Sequence, residues 1–195
     1  QPKEQVEIYY ITAITRDKND AMDILNKYND ENSIEIAEEL SNTKSKTEIG
    51  YLNLNRSNIR LYENLLPYLF YSKENNKIQY ANILKKNEKG QEGLWAHGIS
   101  GDNPLVLVTI KSVGGIKNLI ELINAHEYWS YKGLIVDLVI LNEDESIYYQ
   151  PLHENIKEVV CEKRGNAIDY HGGIFIKNRN ILENGERILL YKWAR

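Results

Sequence analysis

The chain has 195 residues, is 42% hydrophobic and carries a formal net charge of −4. That is enough apolar material for a real core, and too little clustered positive charge to grip a nucleic-acid backbone. No apolar run approaches the ~20 residues of a membrane-spanning helix, and the polar start at Gln1-Pro2 has no leader pattern. These features predict a cytoplasmic segment with no membrane insertion of its own. A start without Met reads as a piece of a longer polypeptide. Cys161 is the only cysteine, so an intrachain disulfide is excluded. Its place in an amphipathic helix predicts a small core residue and not a reactive thiol.

Taken in chain order, residues 5–15 place Val6, Ile8, Tyr10 and Thr12 on one face and predict a strand. Residues 20–28 form a short helix. Residues 33–51 form a longer polar helix with Ile34, Ala37 and Leu40 in one stripe. Ser57 is positioned to cap a third helix over Ile59, Tyr62, Leu65, Leu66, Leu69 and Phe70, which Pro67 should kink or divide. Residues 72–93 are polar and punctuated, a surface connection. Beyond them the pattern alternates. Leu105–Ile110 is a continuous β-branched run of the kind covered on both faces of a parallel sheet. A helix follows over Ile116–Tyr131. A second buried strand spans 134–141, with Asp137 hydrogen-bonded in the interior. Then come a helix over 152–163, a third strand over 173–176 and a final helix over Asn184–Trp193. Strand-helix-strand units of this length make right-handed parallel crossovers. The expected fold is therefore α/β: a small, mainly parallel sheet of three to four strands with helices on both faces, preceded by a helical N-terminal half. The expected organisation is a strand and helical linker region over 1–93 and an α/β subdomain over 94–195.

The most distinctive stretch is Leu94-Trp95-Ala96-His97-Gly98-Ile99-Ser100-Gly101-Asp102-Asn103-Pro104-Leu105. It resembles a segment of the cyclic β-1,2-glucan synthetase-like proteins of glycosyltransferase family 36, now glycoside hydrolase family 94, where the pattern is W-x-Y-G-I-S-G-D-L-P. Here His97 stands where Tyr is usual and Asn103 where Leu is usual. Ala125-His126-Glu127-Tyr128-Trp129, the run from Lys132 through Val136-Asp137-Leu138 to Glu143, Gln150-Pro151-Leu152 and Gly172-Gly173-Ile174-Phe175 extend the resemblance in the same order. In that family the segment lies between an N-terminal β-sandwich and a catalytic (α/α)-barrel. The resemblance thus implies a non-catalytic accessory piece of a glucan-processing glycosyltransferase or phosphorylase. It also implies partners in the remaining domains of the parent and in β-1,2-glucan, and a parent associated with the inner membrane. No residue of this chain matches the barrel, so no catalytic residue is carried over.

Strand polarity sorts the candidate contact residues. Loops entering a parallel sheet share one rim, which gathers Trp95, His97, Asp102, Trp129, Tyr131 and His171, with His126 nearby. These side chains suit stacking on and hydrogen bonding to sugar, or packing against a neighbouring domain. Asp102 and Glu143 fall on opposite rims, too far apart for a glycosidase carboxylate pair. Ser100 precedes a strand, where a nucleophile elbow follows one. Gly114-Gly115 lacks the spaced glycines or the Gly-Lys-Ser/Thr of a phosphate cradle, and His126-Glu127 lacks the second His of a zinc helix. No cofactor and no metal are expected. The alternative reading is a free-standing α/β domain binding a nucleotide or sugar phosphate, with its site at the leaving rim.

Overall fold

The computed structural model describes residues 8–71, 81–144 and 150–194. It divides into two compact units, the first ending at Leu54 and the second beginning at Asn55. The boundary expected at 93/94 therefore falls inside the second unit.

The first unit contains α1 (Lys18–Lys27) and α2 (Glu31–Tyr51). Each begins where an aspartate in extended backbone offers its carboxylate to the free N–H groups of the first turn. Asp17 accepts from Asn19 and Asp20, and Asp30 accepts from Ser33. The strand expected over 5–15 is corrected: residues 8–15 have no strand, and the earlier part lies outside the described residues. A strand needs a neighbouring ladder, and none of the described strands forms one with these residues. Tyr10 and Ile14 stand almost fully in solvent.

The second unit opens with α3 (Arg56–Phe70). Its cap is Asn55, reciprocated by Asn58 in a capping box, and not Ser57, whose hydroxyl bonds to the Asn55 side chain instead. Pro67 does not divide the helix. It lies close to the C-terminal end, and its carbonyl still accepts from Tyr71 N–H. Short turns α4 (Ala81–Leu84) and α5 (Glu92–Trp95) follow. Then come β1 (Leu105–Ile110), α6 (Ile116–Tyr131), β2 (Asp137–Asn142), α7 (Pro151–Arg164), β3 (Ile174–Asn178) and α8 (Asn184–Trp193).

The sheet has three parallel strands in the order β1-β2-β3. Leu105 pairs with Asp137 at the entering end, and Ile110, Asn142 and Asn178 share the last row. Side chains alternate between faces. One face brings Ile110, Leu138, Ile140 and Ile174 against Leu119 and Ile123 of α6 and Leu152, Ile156 and Val160 of α7. The other brings Leu105, Val139 and Phe175 against Leu94, Ile99 and Leu189 and Leu190 of α8. Both crossover helices thus cover one face, while α8 returns over the other and pairs Ala194 with Leu105. On α7 the i, i+4, i+8 row of Leu152, Ile156 and Val160 faces the sheet. Cys161, 100° further round, is exposed, which corrects the expectation of a core cysteine. β2 starts at Asp137 and not at 134, because the end of α6 is first closed by Leu134 N–H on the Trp129 carbonyl and by Gly133 at φ +84°.

Candidate functional site

The entering rim is assembled around Asp137, the first residue of the central strand. Its side chain is 1% exposed. Oδ1 accepts from Gly172 N–H at 2.8 Å and from Asn103 Nδ2 at 3.2 Å. Asn103 Nδ2 also stands 3.2 Å from His171 Nε2. One carboxylate therefore ties the loop before β1 to the loop before β3. Gly172 is held at φ +71°, a backbone region that a Cβ disfavours.

A second tie rigidifies the loop between α5 and β1. The Ser100 carbonyl accepts from Trp95 Nε1 at 3.2 Å and from Gln91 Nε2 at 2.9 Å, and Gln91 Nε2 also reaches Asp102 Oδ1 at 2.9 Å. Asp102 N–H donates to Ser100 Oγ, and Trp193 Nε1 donates to the Gly101 carbonyl. Gly98 and Gly101 both adopt positive φ, and a Cβ on Gly101 would lie 2.8 Å from Gln91 Cγ. The outcome is a fixed loop with the Trp95 indole 63% exposed and Asp102 in solvent.

The structure separates the sequence candidates. Trp95, Asp102, Tyr131 and His171 are exposed. His126 and Trp129 are buried. Trp129 Nε1 donates to the Tyr62 carbonyl at 3.1 Å, anchoring α6 to α3. Beside it Tyr62 donates to Glu121 at 3.0 Å, and burial followed by that carboxylate pushes its phenol up to about 12. His126 Nε2 lies 2.9 Å from the Val136 carbonyl. Burial holds its imidazole below the ordinary histidine value. The Val136 and Gly172 backbone and the Asp137 charge pull the other way. His97 is half-buried and turned to α8, with Nε2 3.4 Å from Glu186 Oε1. Burial raises the Glu186 carboxyl, but the Glu183 backbone, His97 and Lys89 together hold it below its ordinary value.

At the leaving rim, Glu143 accepts from Tyr191 at 3.1 Å and lies 3.5 Å from Lys111 Nζ and 3.9 Å from Arg187 Nη2. Glu143 is thus matched by cations that the sequence places on two other elements. Asn178 Nδ2 donates to Gln150 at 2.8 Å, and Asn142 Oδ1 accepts from Asp144 N–H at 2.9 Å. Residues 145–149 of this rim lie outside the described residues. Five ladder steps of about 3.3 Å separate the rims, so Asp102 and Glu143 do not share a site. Among the described residues, no group of three or more His, Cys, Asp or Glu side chains is arranged to hold a metal ion, and no helix is long and apolar enough to cross a membrane.

No protein-family model matches the sequence. The chain is similar to the cyclic β-(1,2)-glucan synthase NdvB of Rhizobium meliloti (strain 1021), with 28% identity over 144 residues. The match covers 72% of this chain and 5% of that protein. This supports a distant relationship, in which the chain spans a small fraction of its relative's length.

Sequence reasoning missed Gln91, Tyr62 and Glu186 as partners of the candidate residues. Gln91 carried one signal, since it sits four residues before Trp95, the spacing that places two side chains on one side of a helical turn. The others are contacts across long sequence separation and leave no local pattern.

Proposed function

We propose that this chain is a non-catalytic accessory segment of a longer glucan-processing protein, a cyclic β-1,2-glucan synthetase-like glycosyltransferase or phosphorylase. In this reading it joins the catalytic machinery to neighbouring domains and offers its entering rim to glucan or to those domains. The observation that carries the reading is the similarity to a cyclic β-(1,2)-glucan synthase, over most of this chain but only 5% of that protein. The rim chemistry is compatible with it. Asp137 is engaged in holding two loops together, and Asp102 and Glu143 are on opposite ends of the strands, so the carboxylates do not pair for glycoside chemistry.

The test is a calorimetric titration of the chain with β-1,2-gluco-oligosaccharides, with products followed by mass spectrometry in the presence of phosphate. The expected result is heat of binding without turnover. Conversion of any sugar by this polypeptide alone refutes the accessory role, and the absence of both heat and NMR shift at millimolar ligand leaves only the scaffolding part.

A second reading, a nucleotide- or sugar-phosphate-binding domain, draws on the leaving rim. Loops leave β2 and β3 toward opposite faces there, the arrangement beside which open α/β sheets bind ligands. Asn142 Nδ2 and Arg187 Nε are buried at that rim without a hydrogen-bond partner. A screen of nucleotides and sugar phosphates for protection against heat unfolding tests it, and a flat screen removes it.

A further inference from the structure

We propose that Trp95 is a preorganised stacking platform for a single pyranose ring of glucan, with the Asp102 carboxylate accepting a hydroxyl at the ring's edge. The inference rests on the glucan reading above and assigns residues and roles to it. The starting point is a physical oddity. An indole is the largest apolar side chain, and this one is 63% exposed, yet its orientation is fixed by the bond from Nε1 to the Ser100 carbonyl. That carbonyl is itself fixed by Gln91, whose amide also holds Asp102 Oδ1. Gly101 gives Gln91 the space to do so, since any Cβ there would strike its side chain. A loop braced in this way meets the ordering cost of a contact surface before the partner arrives.

The surroundings select the partner's chemistry. The bond to Ser100 uses the indole's one donor, so what the exposed ring has left to offer a partner is apolar and π surface. The C–H face of a pyranose packs on such a surface, while its equatorial hydroxyls seek acceptors around it. Other exposed positions of the same segment are Glu92, Ala96, Gly98 and Asp102, small or polar groups that form no continuous apolar patch around the ring. Such an isolated ring with polar neighbours in its own segment suits a polyol. Asp102 spends Oδ1 on Gln91 and stands exposed beside the loop. His171, tied through Asn103 to the same rim, is also in solvent.

The experiment titrates the full chain with sophorose, the β-1,2-linked glucose disaccharide, and follows the indole N–H resonances of Trp95, Trp129 and Trp193 by NMR. The expected result is a saturable shift of Trp95 at millimolar sugar with Trp129 unmoved. Trp95→Ala should weaken binding about tenfold or more, which is about 1.4 kcal/mol, and Trp95→Tyr should recover most of it. The Trp129 resonance reports that each variant is folded. Asp102→Asn keeps an acceptor for Gln91 and loses the charge, and should weaken binding several-fold. An unmoved Trp95 resonance, or equal affinity in Trp95→Ala, overturns the platform. If calorimetric heat persists in that case, sugar is held elsewhere and only this assignment falls. If no heat remains in the wild-type chain, the glucan contact falls with it. Equal affinity in Asp102→Asn overturns the carboxylate's role.

Discussion

Replacing Asp137 tests whether the entering rim is held by one side chain. The carboxylate is 1% exposed and accepts from Gly172 N–H at 2.8 Å and Asn103 Nδ2 at 3.2 Å. A hydrogen bond to a charged group contributes roughly 1.5–3 kcal/mol, and an orphaned buried donor costs a similar amount. The Gly172 bond is short and the Asn103 bond longer, so Asp137→Ala should cost about 3–5 kcal/mol. This is a large part of the ~5–15 kcal/mol that a domain commands. Asp137→Asn should behave differently. Its amide oxygen, in the place of Oδ1, keeps both the Gly172 and the Asn103 bonds, and its uncharged NH2 takes the place of the unpartnered Oδ2. That variant should cost about 1 kcal/mol. Urea unfolding followed by tryptophan fluorescence reads the right unit, because Trp95, Trp129 and Trp193 all lie beyond Leu54. The midpoint and slope give the free-energy difference. An alanine variant within ~1 kcal/mol of wild type, or an asparagine variant as damaged as alanine, would refute the idea that this carboxylate carries the tie.

Trp129→Ala removes a buried ring and the bond to Tyr62 and should cost about 3–5 kcal/mol, whereas Trp95→Ala should stay within about 1 kcal/mol. The same unfolding curves separate them, and equal losses would contradict the placements given above. His126 is kept below its ordinary value of 6.5, so the unfolded chain binds more protons near that pH and the slope of stability with pH is positive there. Stability should be flat in this respect above the ordinary value and fall as pH drops through it toward the depressed folded value. His126→Gln should flatten that step, as read from unfolding midpoints between pH 5 and 8. A Cβ on Gly173 would lie 2.1 Å from the Ala167 carbonyl, where only backbone can yield, whereas one on Gly172 would meet the Cγ2 methyl of the half-exposed Ile135 side chain at 2.4 Å. Gly173→Ala should therefore cost about 3 kcal/mol or more and Gly172→Ala about 1–2 kcal/mol. The reverse order in thermal melts would show that the β3 entry is more pliable than its packing implies.

The legible parts of the fold are those whose partners are close in sequence. Leu105–Ile110 is apolar at every position but Thr109, and Ile116–Tyr131 carries its apolar row at helical spacing. Both elements, and α8, run as the pattern predicts. Residues 8–15 show the opposite case. Their near-alternation describes a strand's side chains but supplies no ladder, and the described part stays irregular. Cys161 shows how a helix can be right while its phase is not, since a one-position rotation carries a residue from the core to solvent. His97 and Trp129 looked like rim residues because their loops enter the sheet there. Their side chains turn instead to Glu186 and the Tyr62 carbonyl, partners on elements 65 or more positions away.

The two rims differ in what remains to be satisfied, and this difference follows from topology. At the leaving rim α8 begins beside the end of β2, so Arg187 and Tyr191 reach back to Glu143, joined by Lys111 from the end of β1. Glu143, which the sequence presents as part of a charged surface, is thus paired by its own fold. At the entering rim α8 ends, Trp193 donating to the Gly101 carbonyl, and the other braces come from short loops. Asp137 and the Ser100 carbonyl are consumed in holding those loops, and the side chains they position, Trp95, Asp102 and His171, point their chemistry outward. Bracing inward and contact groups outward is the arrangement that binding requires, since rigidity removes an entropic cost that a mobile loop would pay on contact. The sugar contact proposed above falls on this rim, where a carboxylate's hydrogen bonds fix a loop and an indole stands in water.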